Sequence, residues 1–135
     1  MGRPLLILLD THVVVWLAGD ELRISKKAKA AIDEARQADR GLAISDFTLY
    51  ELSTLHRKKE IGLVISLESF LSEVEKRFVV LPITGRICAS AFSLPPGYPK
   101  DPADRIIGAT ALVEGLSLIT ADREIRNSRA LPTIW

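Results

Sequence analysis

Residues 5–12 read LLILLDTH, an apolar run that stops abruptly at a carboxylate, Asp10. The run is far shorter than the roughly 20 residues that cross a bilayer, so we interpret Leu5–Leu9 as a buried strand rather than a signal or membrane segment. Continuously apolar strands are typical of a parallel sheet that is covered on both faces. The stretch therefore predicts an α/β domain with an acidic residue at the carboxyl end of its first strand.

Strand-like and helical patterns alternate along the rest of the chain. Further strands are predicted at Leu42–Ile44, Phe78–Leu81, Leu116–Thr120 and, more weakly, Thr133–Trp135. Helices are predicted at Val13–Leu17, Lys26–Ala38, Phe47–Ile61, Leu67–Lys76, Thr84–Phe92 and Ala103–Glu114, with a short one after Asp122. Ser25, Ser66 and Thr84 are predicted N-caps, and the prolines of residues 94–99 predict a loop. The alternation predicts a three-layer α/β/α sandwich with a mostly parallel central sheet, whose working site lies beyond the carboxyl ends of the strands.

Composition limits the possibilities. With 135 residues, 47% of them hydrophobic, the chain is long enough for one sizeable core, and we expect a single domain over residues 1–135. Its 18 basic and 17 acidic residues nearly cancel, so net charge alone indicates neither a nucleic-acid nor a membrane partner. The single cysteine, Cys88, cannot form an internal disulfide and is predicted to be a buried thiol. We therefore expect a reducing, cytoplasmic setting.

Asp10 and Asp122 each directly follow a predicted buried strand. The ordinary interpretation of both is a helix N-cap. The carboxyl ends of parallel strands also meet at one edge of the sheet, where the working site is expected. Both carboxylates are therefore also candidates for that site.

Glu51 and Asp104 are predicted on helix faces that point toward the core. Glu51 shares its face with Phe47 and Leu55, and a carboxylate among apolar side chains requires a cation or hydrogen bonds. The ordinary interpretation of Glu51 is a salt bridge, or a carboxylate that snorkels past the apolar face to solvent. Asp104 lies in the first turn of a helix capped by Asp101, where negative charge favours the helix dipole. Its face, however, continues through apolar residues of the same helix.

These four carboxylates, Asp10, Glu51, Asp104 and Asp122, can converge only around positive charge, because clustered carboxylates repel one another. Oxygen ligands with no supporting Cys or His pair suit Mg²⁺ or Mn²⁺ rather than Zn²⁺. Setting the four aside leaves 18 basic against 13 acidic residues, a surplus that suits a polyanion. Four independent caps and surface acids remain the alternative.

In their order and spacing, the acidic segments resemble those of PIN-domain nucleases and, within that group, VapC-like toxins. The matching segments are Leu9-Asp10-Thr11, Leu49-Tyr50-Glu51-Leu52, Asp101-Pro102-Ala103-Asp104-Arg105-Ile106-Ile107 and Leu118-Ile119-Thr120-Ala121-Asp122. They span nearly the whole chain, and their combination is specific although no single segment is. Pro99 stands where similar toxins often carry a His.

The resemblance implies a metal-dependent endoribonuclease that is the toxin of a toxin–antitoxin pair. It implies that the four carboxylates hold Mg²⁺ or Mn²⁺, with Thr11 and Thr120 as supporting residues and Asp101 as a weaker one. In such a site a metal-activated water attacks the phosphodiester. The resemblance further implies an RNA substrate, a homodimer, and a small antitoxin whose C-terminal segment binds near the early helices. The short apolar run at the start of the chain, rather than the resemblance, predicts no membrane association.

Basic residues close to the predicted site are candidates for contacts with backbone phosphates. Arg105 lies beside one carboxylate of the cluster, and Arg123 and Arg126 follow another. For any one of them, an ordinary solvated basic surface is the favoured interpretation. His12 and His56 are the only histidines, and they do not match a paired acid–base arrangement.

Two other functions fit the predicted fold class. A catalytically silent PIN-like scaffold would be favoured by a missing acidic residue, and none is missing. A phospho-receiver domain would need a pair of acids after the first strand and a Lys after the last, but Thr11 and His12 follow Asp10. The metal-dependent nuclease is therefore the favoured hypothesis.

Overall fold

The computed structural model of the chain describes residues 6–37 and 41–135. The strands are β1 Leu6–Leu9, β2 Gly41–Ser45, β3 Val79–Leu81, β4 Ser117–Ile119 and β5 Thr133–Ile134. The α-helices are α1 Thr11–Gly19, α2 Lys26–Gln37, α3 Asp46–Arg57, α4 Leu67–Arg77, α5 Gly85–Ala91, α6 Pro102–Glu114 and α7 Arg123–Ser128, and a 3₁₀ turn at Glu21–Arg23 follows α1. Leu5 and Ala38, outer ends of two predicted elements, lie outside the described residues.

The five strands form one parallel sheet in the order β3-β2-β1-β4-β5. The chain passes from β1 to β2 on one side and later returns to β4 on the other, so strand order reverses at β1. In open parallel sheets, crevices form beyond the carboxyl ends of the strands at such a reversal. In the register of the central pair, Leu9 lies opposite Ile119, so the residues that follow them meet at this crevice.

Helices cover both faces of the sheet. Successive residues of a strand point to opposite faces, and β1 and β4 obey this rule. Leu9 and Ile119 pack against α1, α2 and α4 on one side. Leu8 and Leu118 pack against α6 and α7 on the other. The predicted three-layer α/β/α sandwich is confirmed.

Local signals account for the starts and ends of the helices. Ser25, Ser66 and Thr84 each accept a hydrogen bond from the backbone N–H three residues on, at 3.1 to 3.2 Å, so the three predicted N-caps are confirmed. Helix α3 ends before the predicted Ile61, because the backbone at Lys59 adopts φ 61°, a left-handed conformation that no helix continues. None of the described helices is long and apolar enough to cross a bilayer.

Cys88 is exposed, so the prediction of a buried thiol is wrong. Helix α5 buries Ile87 and Ala91, which are four residues apart and therefore share one face. Cys88 lies about 100° around the helix from Ile87, on the side away from the core.

Residues 94–99 form a loop, as their prolines predict, but the loop is not a surface feature throughout. Tyr98 is only 1% exposed, and its hydroxyl donates to the backbone carbonyl of Asp104 at 2.7 Å. A Cβ atom on Gly108 would lie 2.2 Å from the Tyr98 hydroxyl oxygen. Only glycine therefore lets the tyrosine reach α6, where it holds the first helical turn.

Candidate metal centre

Asp10 follows strand β1, Thr120 follows strand β4, and a side-chain hydrogen bond connects these two residues. Asp10 is 4% exposed, and its Oδ1 accepts from the backbone N–H of Thr11 at 2.9 Å. Its Oδ2 accepts from the Thr120 hydroxyl at 2.7 Å. That hydroxyl in turn accepts from the backbone N–H of Asp122 at 3.1 Å. A continuous series of hydrogen bonds thus fixes Asp10 relative to Asp122.

Asp122 is the N-cap of α7. Its Oδ1 accepts from the backbone N–H of Ile125 at 3.1 Å. Within residues 6–37 and 41–135, its second carboxylate oxygen has no hydrogen-bond donor. The cap role expected from the sequence therefore leaves one oxygen available to a ligand.

Glu51 reaches the same region from α3. Its Oε1 accepts from the Thr11 hydroxyl at 2.5 Å, and that hydroxyl lies 3.0 Å from the hydroxyl of Thr48. Because Thr11 gives its one hydroxyl proton to Glu51, Thr48 is the donor in the second contact. Burial raises the pKa of Glu51, and the charges of Asp10 and Asp101 raise it further, whereas the hydrogen bond from Thr11 opposes the change.

Asp104 lies in the first turn of α6, held there by contacts on both sides. Asp101, the N-cap, accepts from the backbone N–H groups of Ala103 and Asp104 at 2.9 and 3.2 Å, with Pro102 as the first helical residue. The Tyr98 hydroxyl binds the Asp104 carbonyl. The Asp104 carboxylate itself accepts no hydrogen bond from the described residues.

Burial and mutual repulsion raise the pKa of Asp104 to about 7. Burial is the largest cause, followed by the negative charges of Asp10, Asp101, Asp122 and Glu51. The four predicted carboxylates and Asp101 are thus close enough to act on one another electrostatically. In the described part of the chain, however, no three of these side chains are arranged to hold one ion directly.

The negative charge of this cluster has little compensation from the chain. Of the described residues, no Lys or Arg forms an ion pair with Asp10, Glu51, Asp104 or Asp122; the basic side chain that pairs with one of them is His12, whose Nδ1 lies 3.6 Å from Asp10 Oδ2. Buried carboxylates without partners either take up protons or bind a cation. Among these residues, the salt bridge expected as the ordinary role of Glu51 is therefore not formed.

The residues fit a hydrated divalent cation rather than a fully protein-bound one. In the part of the chain that the structure describes, no group of three or more His, Cys, Asp or Glu side chains is arranged to hold a metal ion directly. Mg²⁺ usually keeps several of its waters and binds through one or two carboxylates. Carboxylates without a Lys or Arg partner suit that mode of binding, and the role of the four residues as ligands stays a prediction.

His12 links the first helix to the loop that carries Asp122. Its Nε2 accepts from the backbone N–H of Ala121 at 3.0 Å, so a neutral ring carries its proton on Nδ1, facing Asp10. The ring packs on Trp16, with centroids 4.9 Å apart. His12 thus takes part in positioning the site, and its adjacency to Asp10 is the only sign of this role in the sequence.

The three arginines predicted to contact RNA have different environments. Arg105 donates through Nη1 to the carbonyl of Ala91 at 3.1 Å, and Arg126 donates through Nη2 to the carbonyl of Ala121 at 3.3 Å. Arg123 is exposed. Arg105 and Arg126 therefore have part of their donor capacity engaged with the backbone, and RNA contact by all three stays a prediction.

Comparison with known proteins agrees with this geometry. The PIN domain family model matches residues 7–130. Ribonuclease VapC22 of Mycobacterium tuberculosis is 37% identical over 131 residues, which cover 96% of this chain and 98% of that protein. The chain belongs to the PIN-domain family. Its resemblance to the VapC-like members of that family, expected from the acidic segments, is confirmed.

Solved structures share the fold. VapBC-1 from nontypeable Haemophilus influenzae matches with a TM-score of 0.71 at 19% identity, over 96% of both chains. DNA-bound VapBC from Salmonella typhimurium matches with a TM-score of 0.69 at 21% identity, over 97% of both chains. At these identities the likeness supports the fold alone.

Proposed function

We propose that this chain is a Mg²⁺- or Mn²⁺-dependent endoribonuclease and the toxin of a toxin–antitoxin pair. One observation carries the catalytic part: the charges of Asp10, Glu51 and Asp122 all act on Asp104, and none of these four carboxylates has a Lys or Arg ion-pair partner among the described residues. The similarity to a VapC ribonuclease supports RNA as the substrate. From the family we also expect a homodimer.

The chain's own residues would prepare the site for a cation. Bound there, Mg²⁺ or Mn²⁺ supplies Lewis acidity, which activates water toward phosphorus and neutralises charge that develops on the phosphate. Thr120 and the Thr11 backbone fix both oxygens of Asp10, and the Thr11 hydroxyl fixes Glu51. A carboxylate of the cluster is available to accept a proton from the attacking water. Preorganised ligands of this kind need no rearrangement during the reaction.

The test of catalysis is cleavage of a single-stranded RNA by the purified chain, with Mg²⁺ or with EDTA. We expect cleavage with Mg²⁺, none in EDTA, and a loss of orders of magnitude for Asp10→Asn. Glu75→Gln, which removes an exposed carboxylate on α4, is the matched control and should cleave like wild type. Cleavage that persists in EDTA and in Asp10→Asn would refute a metal nuclease, and absence of any cleavage would favour the silent scaffold.

A groove of about 510 Å³ supports an antitoxin partner near the early helices. It lies between α1, the 3₁₀ turn and the segment 60–65, and its lining includes Trp16 and Phe70. Val64, in the wall of the groove, and Leu22, beside it, are fully exposed apolar residues. An apolar segment of a small antitoxin would bury these surfaces, a common mode of peptide recognition.

The substitution Val64→Glu tests whether this groove binds the antitoxin without affecting the toxicity of the chain itself. Val64 is fully exposed, so the substitution should leave the fold and the carboxylate cluster intact. Expression of wild type alone should arrest growth, and co-expression of the neighbouring antitoxin gene should relieve the arrest. We expect Val64→Glu to arrest growth even with the antitoxin present. Harmless expression of catalytically active protein would argue against the toxin assignment.

A further inference from the structure

Tyr50 is an exposed aromatic residue directly beside the carboxylate cluster. It precedes Glu51 on α3, and 69% of its surface is exposed. Its ring lies 5.8 Å from that of Phe47, with the two planes inclined by 53°. The contact holds the ring against the helix without covering it. Exposed tyrosines in such positions offer a rigid, flat, partly polar surface.

A groove of about 280 Å³ is lined by this ring and by Glu51. One wall is α3, and the other is the start of α6 at residues 101–103. Glu51 and Asp101 lie at its inner end, and Lys58 contributes to its lining one residue beyond the end of α3. The groove and the candidate metal centre therefore share Glu51.

The distribution of charge along this groove distinguishes its two ends. Glu51 and Asp101 at the inner end repel a phosphate, but they do not repel an uncharged base lying on the Tyr50 ring. Lys58 at the outer end attracts a phosphate. Single-stranded RNA presents these groups alternately, since unpaired bases stack on aromatic side chains while the backbone contacts basic ones.

We propose that this groove is a nucleobase subsite, in which a base next to the cleaved phosphodiester stacks on Tyr50 and the backbone phosphate beyond it contacts Lys58. The proposal rests on the ribonuclease function proposed above. It gives helix α3 a second role, because the residue that precedes Glu51 then positions the RNA strand. Stacking of this kind accepts any base, so the subsite supplies affinity and register rather than strict sequence choice.

The test combines protein variants with base deletion in the RNA. Binding of a fluorescein-labelled single-stranded RNA is followed by anisotropy in Mg²⁺, with Asp10→Asn present in every protein so that the RNA stays intact. Tyr50→Ala should weaken binding by roughly five- to 150-fold, the range that corresponds to one stacked base. Tyr50→Phe should retain binding. Leu22→Ala removes a fully exposed apolar side chain in the 3₁₀ turn, away from this groove, and should have no effect.

A series of RNAs that each lack one base identifies the stacked position. At one position, removing the base should weaken RNA binding by the protein that keeps Tyr50 by about the same factor as the Tyr50→Ala substitution does. Removing the same base should not further weaken RNA binding by the Tyr50→Ala protein. Losses that simply add at every position would overturn the subsite. So would unchanged RNA affinity accompanied by a change in oligomeric state, which would assign this surface to a second copy of the chain.

Cleavage assays separate failure of this proposal from failure of the proposed function. In the active protein, Tyr50→Ala should raise KM and leave kcat within about twofold of wild type. Metal-dependent cleavage by both proteins with the same KM would refute the subsite and leave the ribonuclease standing. Absence of RNA cleavage by wild type would refute both.

Discussion

Replacement of Asp104 by Asn removes a charge that the folded chain disfavours. Burial and the charges of Asp10, Asp101, Asp122 and Glu51 raise the pKa of Asp104 from 3.8 to about 7. At about 1.36 kcal/mol per pKa unit, the difference corresponds to roughly 4 kcal/mol. Water screens this partly exposed carboxylate, so we expect Asp104→Asn to raise the free energy of unfolding by about 2 kcal/mol in EDTA at pH 8. For a chain of this size that is a melting-temperature increase of roughly 5 to 10 °C.

The advantage of Asp104→Asn should depend on pH with a defined sign. Because the folded-state pKa lies above the unfolded value, the folded wild type keeps a proton that the unfolded chain has released between about pH 4 and pH 7. The free energy of unfolding of wild type therefore falls as pH rises through that window, because Asp104 must ionise in the folded state. The Asn variant has no proton to lose at this position and shows no such fall. The difference between the two proteins should be small at pH 4 and complete above pH 7.

Magnesium should reduce the stability advantage of Asp104→Asn over wild type. A cation at the cluster stabilises the ionised carboxylate and binds only the folded state, so saturating Mg²⁺ at 100 times its Kd should add about 2.7 kcal/mol to wild type. The Asn variant should gain less. Urea unfolding at pH 4, 6 and 8, in EDTA and in Mg²⁺, measures all of these quantities. The control Glu75→Gln should follow wild type throughout.

Two results would refute this reasoning. One is a destabilised Asp104→Asn protein in EDTA at pH 8, which would show that the carboxylate makes a favourable contact. The other is a stability difference that does not change with pH, which would show that its pKa is not raised by folding.

Three further substitutions give separate tests. Replacing glycine by alanine inside a helix usually stabilises it, but the Cβ of Gly108→Ala would lie 2.2 Å from the buried Tyr98 hydroxyl oxygen, so this substitution should lower the free energy of unfolding by about 1 to 3 kcal/mol. Adding Tyr98→Phe should restore part of that loss. A Gly108→Ala protein that is more stable than wild type would contradict this packing. Thr120→Val removes the hydroxyl that donates to Asp10 and should lower the free energy of unfolding, measured in urea, by about 1 to 3 kcal/mol. Thr120→Ser keeps the hydroxyl and should retain most of the wild-type stability. An equal loss of stability in both variants would show that the hydroxyl is unimportant. In EDTA, Glu51→Gln should be at least as stable as wild type, and it should lose most of the stabilisation that Mg²⁺ gives to wild type; thermal melts measure both. If the variant is instead destabilised by more than about 1 kcal/mol in EDTA and responds to Mg²⁺ like wild type, Glu51 is a structural salt-bridge partner.

Strand ends and helix faces made much of the site predictable from the sequence. An apolar strand followed by a carboxylate places that carboxylate at a defined edge of a parallel sheet, as for Asp10 and Asp122. Glu51 was recognisable because a carboxylate on an apolar helix face contradicts the amphipathic pattern. These signals are local and periodic, and a single sequence displays them directly.

Contacts between distant segments were not predictable in the same way. Arg105 donates to the carbonyl of Ala91, a group that every residue has and that leaves no mark in the sequence. Thr48 meets Thr11 across 37 positions without any shared motif. For Tyr98 a usable signal did exist: a glycine inside the helical pattern of α6 costs about 1 kcal/mol and indicates a close neighbour.

The cap and ligand interpretations of Asp10 and Asp122, which the sequence presents as alternatives, are compatible in the structure. Both carboxylates accept backbone N–H groups at the start of a helix, and those bonds fix their orientation before any cation arrives. A fixed carboxylate loses less conformational freedom when it binds an ion. Substitution at either position therefore removes a cap and a candidate ligand together, and stability alone cannot separate the two effects. Asp104 accepts no side-chain hydrogen bond from the described residues, so its substitution isolates the electrostatic role of the cluster.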